Sequence, residues 1–122
     1  MILADTHVLV WLATGDTRLP AAFRRQIEDG EPLSTSAVVA FEYADLHRRG
    51  RLGNGPSFVD TADALGLQIL ALPAETWRVA AELPAVHGDP VDRMFAAHAM
   101  ISGDSIATAD LNLRRYPVAL AW

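Results

Sequence analysis

Apolar and polar positions along this chain follow two alternating rhythms. Short uninterrupted apolar runs read as buried strands, and longer stretches in which apolar residues return every three or four positions read as helices. Met1–Ala4 is the first apolar run. Thr6–Ala13 carries the helical period until Gly15 and Asp16 break it, and residues 19–29 carry it again with Pro20 near their start, where proline is tolerated. A second strand is predicted over 32–35, then a long helix capped by Ser36 and reaching about Arg49. Residues 50–56 follow neither rhythm and read as an exposed loop. Phe58–Leu65 is helical and stopped by Gly66, 67–72 is a strand, and 74–83 is a helix closed by Pro84. Asp89 and Pro90 open a further helix running to about Ser102, followed by a strand over 105–108, a short helix over 111–116 and a last strand over 118–122.

Strand–helix alternation of this kind predicts an α/β layer fold with a mostly parallel sheet. In such sheets, sites gather at the carboxyl ends of the strands, near the point where the strand order reverses. The 122 residues make one domain, and no repeat, low-complexity tract or long linker divides them. Hydrophobic residues make up 51% and charged residues 20%, which suits a real core and argues against disorder. Cysteine is absent, which excludes disulfides, thiolate metal sites and cysteine nucleophiles. All ten basic residues are arginine, so Schiff-base chemistry and a P-loop lysine are excluded as well. The apolar start has no basic flank, its first basic residue being Arg18, and no apolar stretch approaches the roughly 20 residues of a spanning helix. Neither export nor a membrane is expected, and a cytoplasmic protein is.

The net charge is −5, and the placement of the acids matters more than their number. Asp5 follows the first predicted strand, and Asp110 follows the strand ending near Thr108. Asp92 lies in the first turn of the helix after Pro90, and Glu42 lies inside the long third helix. Each aspartate also has a purely structural reading. Asp5 and Asp110 suit helix caps, Asp89 suits an N-cap before Pro90, and Asp92 then sits where an acid completes a capping box. Glu42 is harder to read that way. It interrupts an apolar run and shares a helical stripe with Val38, Val39 and Leu46, where a carboxylate is costly to bury unless paired, with Arg93 or Arg78 as possible partners, or bound to a metal. Acids converging at one sheet edge raise one another's pKa values, and a hard divalent cation such as Mg²⁺ or Mn²⁺ relieves the repulsion. A cation held by acids is equipment for hydrolysing phosphodiesters.

Four segments then carry a family resemblance: LADTHVLVWL at 3–12, SAVVAFEYADLHRRGRL at 36–52, HGDPVDRMFAAHA at 87–99 and IATADLNLRRYPV at 106–118. With these residues in this order the chain resembles the PIN-domain ribonucleases, and within them the VapC-like toxins of toxin–antitoxin pairs. The resemblance implies a parallel sheet flanked by helices on both faces, with Asp5, Glu42, Asp92 and Asp110 in a Mg²⁺ or Mn²⁺ site and hydroxyls from Thr6 and Thr108 beside the carboxylates. It implies metal-dependent endonucleolytic cleavage of RNA, a cognate antitoxin as partner, and a homodimer, often assembled as a heterotetramer of two toxins and two antitoxins. The related toxins often carry tryptophan before the glutamate and lysine in the basic stretch after it; here Phe41 and Arg48, Arg49 and Arg51 stand there.

The other polar residues are weighed in the same way. Arg48, Arg49 and Arg51 form the densest basic patch, suited either to the RNA backbone or to a solvated helix end. Arg93 is read as a supporting residue, chiefly in an ion pair, with Asp89 as a cap that has a possible second-metal role. Arg114 and Arg115 are expected on the surface. His7, His47, His87 and His98 show no metal-ligand spacing. Trp11, Trp77 and Trp122 default to core anchoring, although Trp11 with Val8 and Leu12 would make an apolar patch for a partner. Two further functions compete: a phosphoacceptor domain using Asp5, which the absence of lysine disfavours, and a catalytically silent PIN-fold module that only binds antitoxin or RNA.

Overall fold

The computed structural model describes residues 1–84 and 88–122, so the expectation for His87 lies outside the described residues. In chain order the elements are β1 (Ile2–Ala4), α1 (Thr6–Thr14), α2 (Ala21–Glu28), β2 (Leu33–Ser36), α3 (Ala37–Arg48), α4 (Phe58–Leu65), β3 (Gln68–Leu70), α5 (Thr76–Glu82), α6 (Pro90–Ser102), β4 (Ser105–Ala107), a 3₁₀ turn (Leu113–Arg115) and β5 (Ala119–Leu120). The five strands form one sheet in the order β3-β2-β1-β4-β5. Every pairing is parallel, with Leu3 opposite Ser34 on one side and Ile106 on the other. The expected α/β fold is therefore present, and its sheet is wholly parallel rather than mostly so. No helix among the described residues is long and apolar enough to cross a membrane.

Local signals account for most of the boundaries. Ser36 caps α3 by accepting from the Val38 N–H, and Ser57 caps α4 by accepting from the Asp60 N–H. The α4 helix ends at Gly66 with φ +59°, a left-handed conformation that costs glycine nothing. Pro20, expected just inside the second helix, instead stands at its N-cap position. The strand predicted over 67–72 shrinks to three residues, and that over 118–122 to two, both at sheet edges where a neighbour pairs on one side only.

The core is Leu3, Val8, Leu9, Val39, Tyr43, Phe95, Ile106 and Leu113, with Ala96, Ala97 and Ala99 on α6, whose small side chains let that helix approach closely. Strand β2 is unusual: Ser34, Thr35 and Ser36 are all buried. Their hydroxyls are partnered. Thr35 donates to the Ala4 carbonyl at 2.8 Å, and the Ser36 hydroxyl lies 2.8 Å from His98 Nδ1. Buried polar groups satisfied in this way cost little, whereas orphaned ones would not be tolerated.

The stretch expected to be an exposed loop is only partly so. Leu52 packs against the core, and a Cβ added at Gly55 would come within 3.0 Å of the Leu52 carbonyl. Tyr43, fully buried, ties this loop down. Its hydroxyl lies 2.8 Å from both the Pro56 carbonyl and the Thr61 hydroxyl, and its ring meets Phe58 edge-on at 5.4 Å. Tyr43→Phe keeps the ring and removes both bonds, and should cost about 1–3 kcal/mol. A lower urea midpoint at unchanged slope is the expected result; an unchanged midpoint would mean that the loop is held by packing alone.

Candidate active site

The chain leaves β1 toward β2 on one side, while β4 pairs with β1 on the other, so the strand order reverses at the β1/β4 junction. In an open parallel sheet the crevice lies just beyond the carboxyl ends of such strands. Asp5 occupies that place after β1 and Thr108 after β4. The Asp5 carboxylate is buried and held at both oxygens: Oδ1 accepts from the Thr6 N–H at 2.7 Å, capping α1, and Oδ2 accepts from the Thr108 hydroxyl at 2.7 Å. The Thr108 hydroxyl in turn accepts from the Asp110 N–H at 3.0 Å. Asp110 Oδ1 accepts from the backbone N–H groups of Asn112 and Leu113 at 2.7 and 3.3 Å, starting the turn that follows. Cap and site readings are thus compatible, because capping is what orients each carboxylate.

Thr6 links Asp5 to the next acid, its hydroxyl donating to Glu42 Oε1 at 2.6 Å. Glu42, half-buried on α3, has carboxylate oxygens within 4.8 Å of those of Asp89 and Asp92 at the start of α6. Oxygens on one octahedral Mg²⁺ lie about 3.0 Å apart when adjacent and about 4.2 Å when opposite, so side-chain adjustments of up to about an ångström would let the three share an ion. Asp89 Oδ1 accepts from the Val91 and Asp92 N–H groups at 2.9 and 3.4 Å, so Asp89 caps α6 and also belongs to this trio. Its place there is a consequence of the fold; in the sequence the Asp–Pro pair looks chiefly like a helix start. Asp5 and Asp110 instead line a cavity of about 200 Å³ with His7, Trp11 and Ala109. The expected four acids therefore fall into two adjoining groups joined through Thr6.

The electrostatics match this crowding. Burial pushes the Asp5 carboxyl above its ordinary range; hydrogen bonds from Thr108 and Thr6 and the nearby His7 pull it back, and Asp110 pushes it further up. Burial likewise raises the Glu42 carboxyl, opposed by its bond from Thr6 and reinforced by Asp5 and Asp89. Among the described residues no arginine forms an ion pair with Glu42. The oxygen-only donor set, buried and crowded with like charge, is the environment that a hard divalent cation relieves.

Several other residues stand elsewhere than expected. Among the described residues Arg93 makes no ion pair; its guanidinium donates to the carbonyls of Ala80 at 2.6 Å and Leu83 at 3.1 Å, with longer contacts to Ala81 and Pro84, closing the end of α5. Several open carbonyls at a helix end together satisfy the donors of the fork without a carboxylate. Arg114 is half-buried rather than on the surface, bridging the carbonyls of Thr108 and Trp122 at 3.0 and 2.8 Å. Arg48 and Arg49 both pair with Asp45, at 2.8 and 3.1 Å, while Arg51 is exposed. Arg48 lies six positions beyond Glu42 on the helix, about 9 Å further along its axis. His98 is buried against Ser36, with burial holding its imidazole below the ordinary value. Val8 is fully buried, so it cannot contribute to a surface patch with Trp11 and Leu12. Trp77, expected in the core, is 66% exposed, whereas Trp122 packs on Phe23 at 4.7 Å.

A family model for the PIN domain matches residues 2–119, and the chain belongs to the PIN domain family. Ribonuclease VapC22 of Mycobacterium tuberculosis is 28% identical over 118 residues, covering 94% of this chain and 91% of that protein. Among solved structures, VapBC2 from Rickettsia felis, bound to a DNA fragment from its promoter, superposes with a TM-score of 0.72 at 16% identity, over 98% of this chain and 96% of that one. The Mycobacterium tuberculosis toxin VapC20, described as cleaving the sarcin–ricin loop, gives 0.59 at 18% identity over 93% of each chain. At these identities the two structures show a shared fold.

The raised carboxyls of Asp5 and Glu42 set a pH dependence. Both ionise in the unfolded chain near their ordinary values of 3.8 and 4.5 but higher in the folded one. Their contribution favours folding at low pH and is lost as pH rises through the folded values. Metal-free wild type should therefore gain stability relative to Asp5→Asn as pH falls from 7 to about 5. Mg²⁺ or Mn²⁺ should stabilise wild type more than the variant. Urea midpoints at each pH measure this; a wild-type-minus-variant difference that stayed flat would mean an unperturbed Asp5.

Proposed function

We propose that this chain is a metal-dependent endoribonuclease and acts as the toxin of a toxin–antitoxin pair. The observation that carries this reading is the convergence of Glu42, Asp89 and Asp92 oxygens within 4.8 Å, beside a buried Asp5 hydrogen-bonded at both oxygens. Support for RNA as substrate comes from the relatives: one is named a ribonuclease and another is described as a toxin that cleaves the sarcin–ricin loop. The resemblance to VapC-like toxins supports an antitoxin as partner, a homodimer or toxin–antitoxin heterotetramer as the assembly, and the cytoplasm as the location.

In this reading Glu42, Asp89 and Asp92 hold a Mg²⁺ or Mn²⁺ ion, with Asp5 and Asp110 completing the acidic surround. A bound divalent cation supplies Lewis-acid activation of water and neutralises charge on the phosphate. The chain's own groups do the positioning. Thr108 and the Thr6 N–H fix both Asp5 oxygens, and the Thr6 hydroxyl fixes Glu42, so the carboxylates need little reorganisation when the charge they face changes. The amino ends of α1 and α6, capped by Asp5 and Asp89, direct partial positive charge toward the same edge, which makes the density of acids bearable. Arg48, Arg49 and Arg51, further along α3, suit long-range attraction of the RNA backbone rather than contact at the reacting phosphate.

The test is cleavage of total RNA by purified, antitoxin-free protein with Mg²⁺, with Mn²⁺ and with EDTA, alongside Asp92→Asn. Cleavage should require the metal and fall by at least about 10²-fold in the variant. Thr108→Val, which removes one hydrogen bond to Asp5, should lower metal affinity or rate by about 10–100-fold. Cleavage should also fade as pH drops from 7 toward 5, because the raised carboxyls of Asp5 and Glu42 take up protons at the expense of metal. Folded wild-type protein that cleaved equally well in EDTA, or an Asp92→Asn protein as active as wild type, would overturn the metal-dependent reading. Folded protein that cleaved no RNA would favour a silent binding module.

A further inference from the structure

The cavity beside Asp5 has a wall that holding a cation leaves unused. Asp5, Asp110 and Ala109 form one part of it, and His7 and Trp11 form the rest. The two aromatic residues stand four positions apart on α1 and so share a helix face. Their rings lie 6.4 Å apart, tilted by 55°, which makes a corner rather than a closed stack. Trp11 is braced in place. The Arg18 guanidinium sits 5.0 Å from the centre of its ring, is gripped by the Asp16 carboxylate at 2.7–3.2 Å, and lines a different cavity. His7 is exposed, and its ring nitrogens are able to donate or accept at the cavity mouth. At about 200 Å³ the cavity has room for roughly six or seven waters at ~30 Å³ each, less than the ~300–1,000 Å³ of pockets that enclose a drug-sized molecule. Its size suits one planar heterocycle.

We propose that this cavity is a nucleobase subsite: one base of the RNA strand, next to the phosphodiester held at the acids, stacks on Trp11 and meets His7 at its edge. The inference rests on the ribonuclease reading and deepens it. Single-stranded RNA is held by splaying bases onto aromatic faces, and such stacking tolerates any base. Hydrogen bonds to the base edge are what discriminate, so His7 is the specificity-determining position and Trp11 the general one. Sharing a wall with Asp5 and Asp110 favours RNA over an apolar side chain of a protein partner, because a base stacked there brings its own phosphate to the carboxylate cluster.

The experiment measures binding, so it does not depend on turnover. Asp92→Asn protein, kept in Mg²⁺-free buffer so that no strand is cut, is titrated by fluorescence anisotropy with an RNA strand of about 12 nucleotides and with an abasic strand of equal length. Adding Trp11→Leu should weaken binding of the base-bearing strand by about 5- to 150-fold and leave the abasic strand unchanged, while Trp11→Phe should retain most of the affinity. Adding His7→Ala, at an exposed position that the fold does not depend on, should change the order of affinity among the four homopolymer strands. Equal losses on both strands, or none on either, would overturn the subsite. If Trp11→Leu does not fold, an unchanged homopolymer order in His7→Ala overturns it. Loss of binding to a protein partner with RNA binding intact would make the cavity a protein contact instead. Failure of the enzyme reading shows separately, as absence of metal-dependent cleavage by wild type.

Discussion

The structure turns on a carboxylate placed where the sheet reverses direction. Asp5 is buried against the carboxyl ends of β1 and β4, where a charge is expensive, and it is tolerated because both of its oxygens are hydrogen-bonded. One of those bonds starts α1; the other comes from Thr108, 103 residues away. A single side chain thereby joins the first strand, the first helix and the fourth strand. The neighbouring residue, Thr6, extends the same network to Glu42 on α3, whose carboxylate meets Asp89 and Asp92 at the head of α6. Five elements, drawn from both ends and the middle of the chain, are held in one polar cluster.

That cluster carries a surplus of like charge and therefore a latent demand for a cation. Burial raises the carboxyls of Asp5 and Glu42, and each is raised further by acidic neighbours. An arginine inserted among them would have relieved this and produced an inert core. The nearby arginines are engaged otherwise: Arg93 by the carbonyls ending α5, Arg114 by those of Thr108 and Trp122. Both serve backbone closure, and the acids are left without a permanent counter-charge from them.

Much of this was legible along the chain, for reasons specific to each residue. The limits of α4 agree with expectation because both of its caps, Ser57 and Gly66, act within a turn of the helix. Asp89 and Pro90 mark the start of α6 by chemistry internal to four residues. Glu42 stood out because a carboxylate on an apolar helix face needs an explanation. The misreadings share a different cause. The roles of Arg93 and Arg114 depend on which carbonyls lie within reach of a long side chain, and neither spacing nor composition encodes that. Trp77 is exposed, and Val8 is buried, because the sides of α5 and α1 that meet the core were chosen by packing.

The sequence by itself determined the class of fold, the approximate limits of its helices and strands, and the identity of the acids, because periodicity, caps and the cost of burying charge are local or nearly local properties. Only the tertiary structure decided how those acids are grouped. It brought Asp89 into contact range of Glu42 and Asp92, set Asp5 and Asp110 on a separate cavity wall with His7 and Trp11, and linked the two groups through Thr6. These relations depend on the order in which the parallel strands lie side by side, and that order is settled by the burial of whole faces rather than by any single stretch of chain.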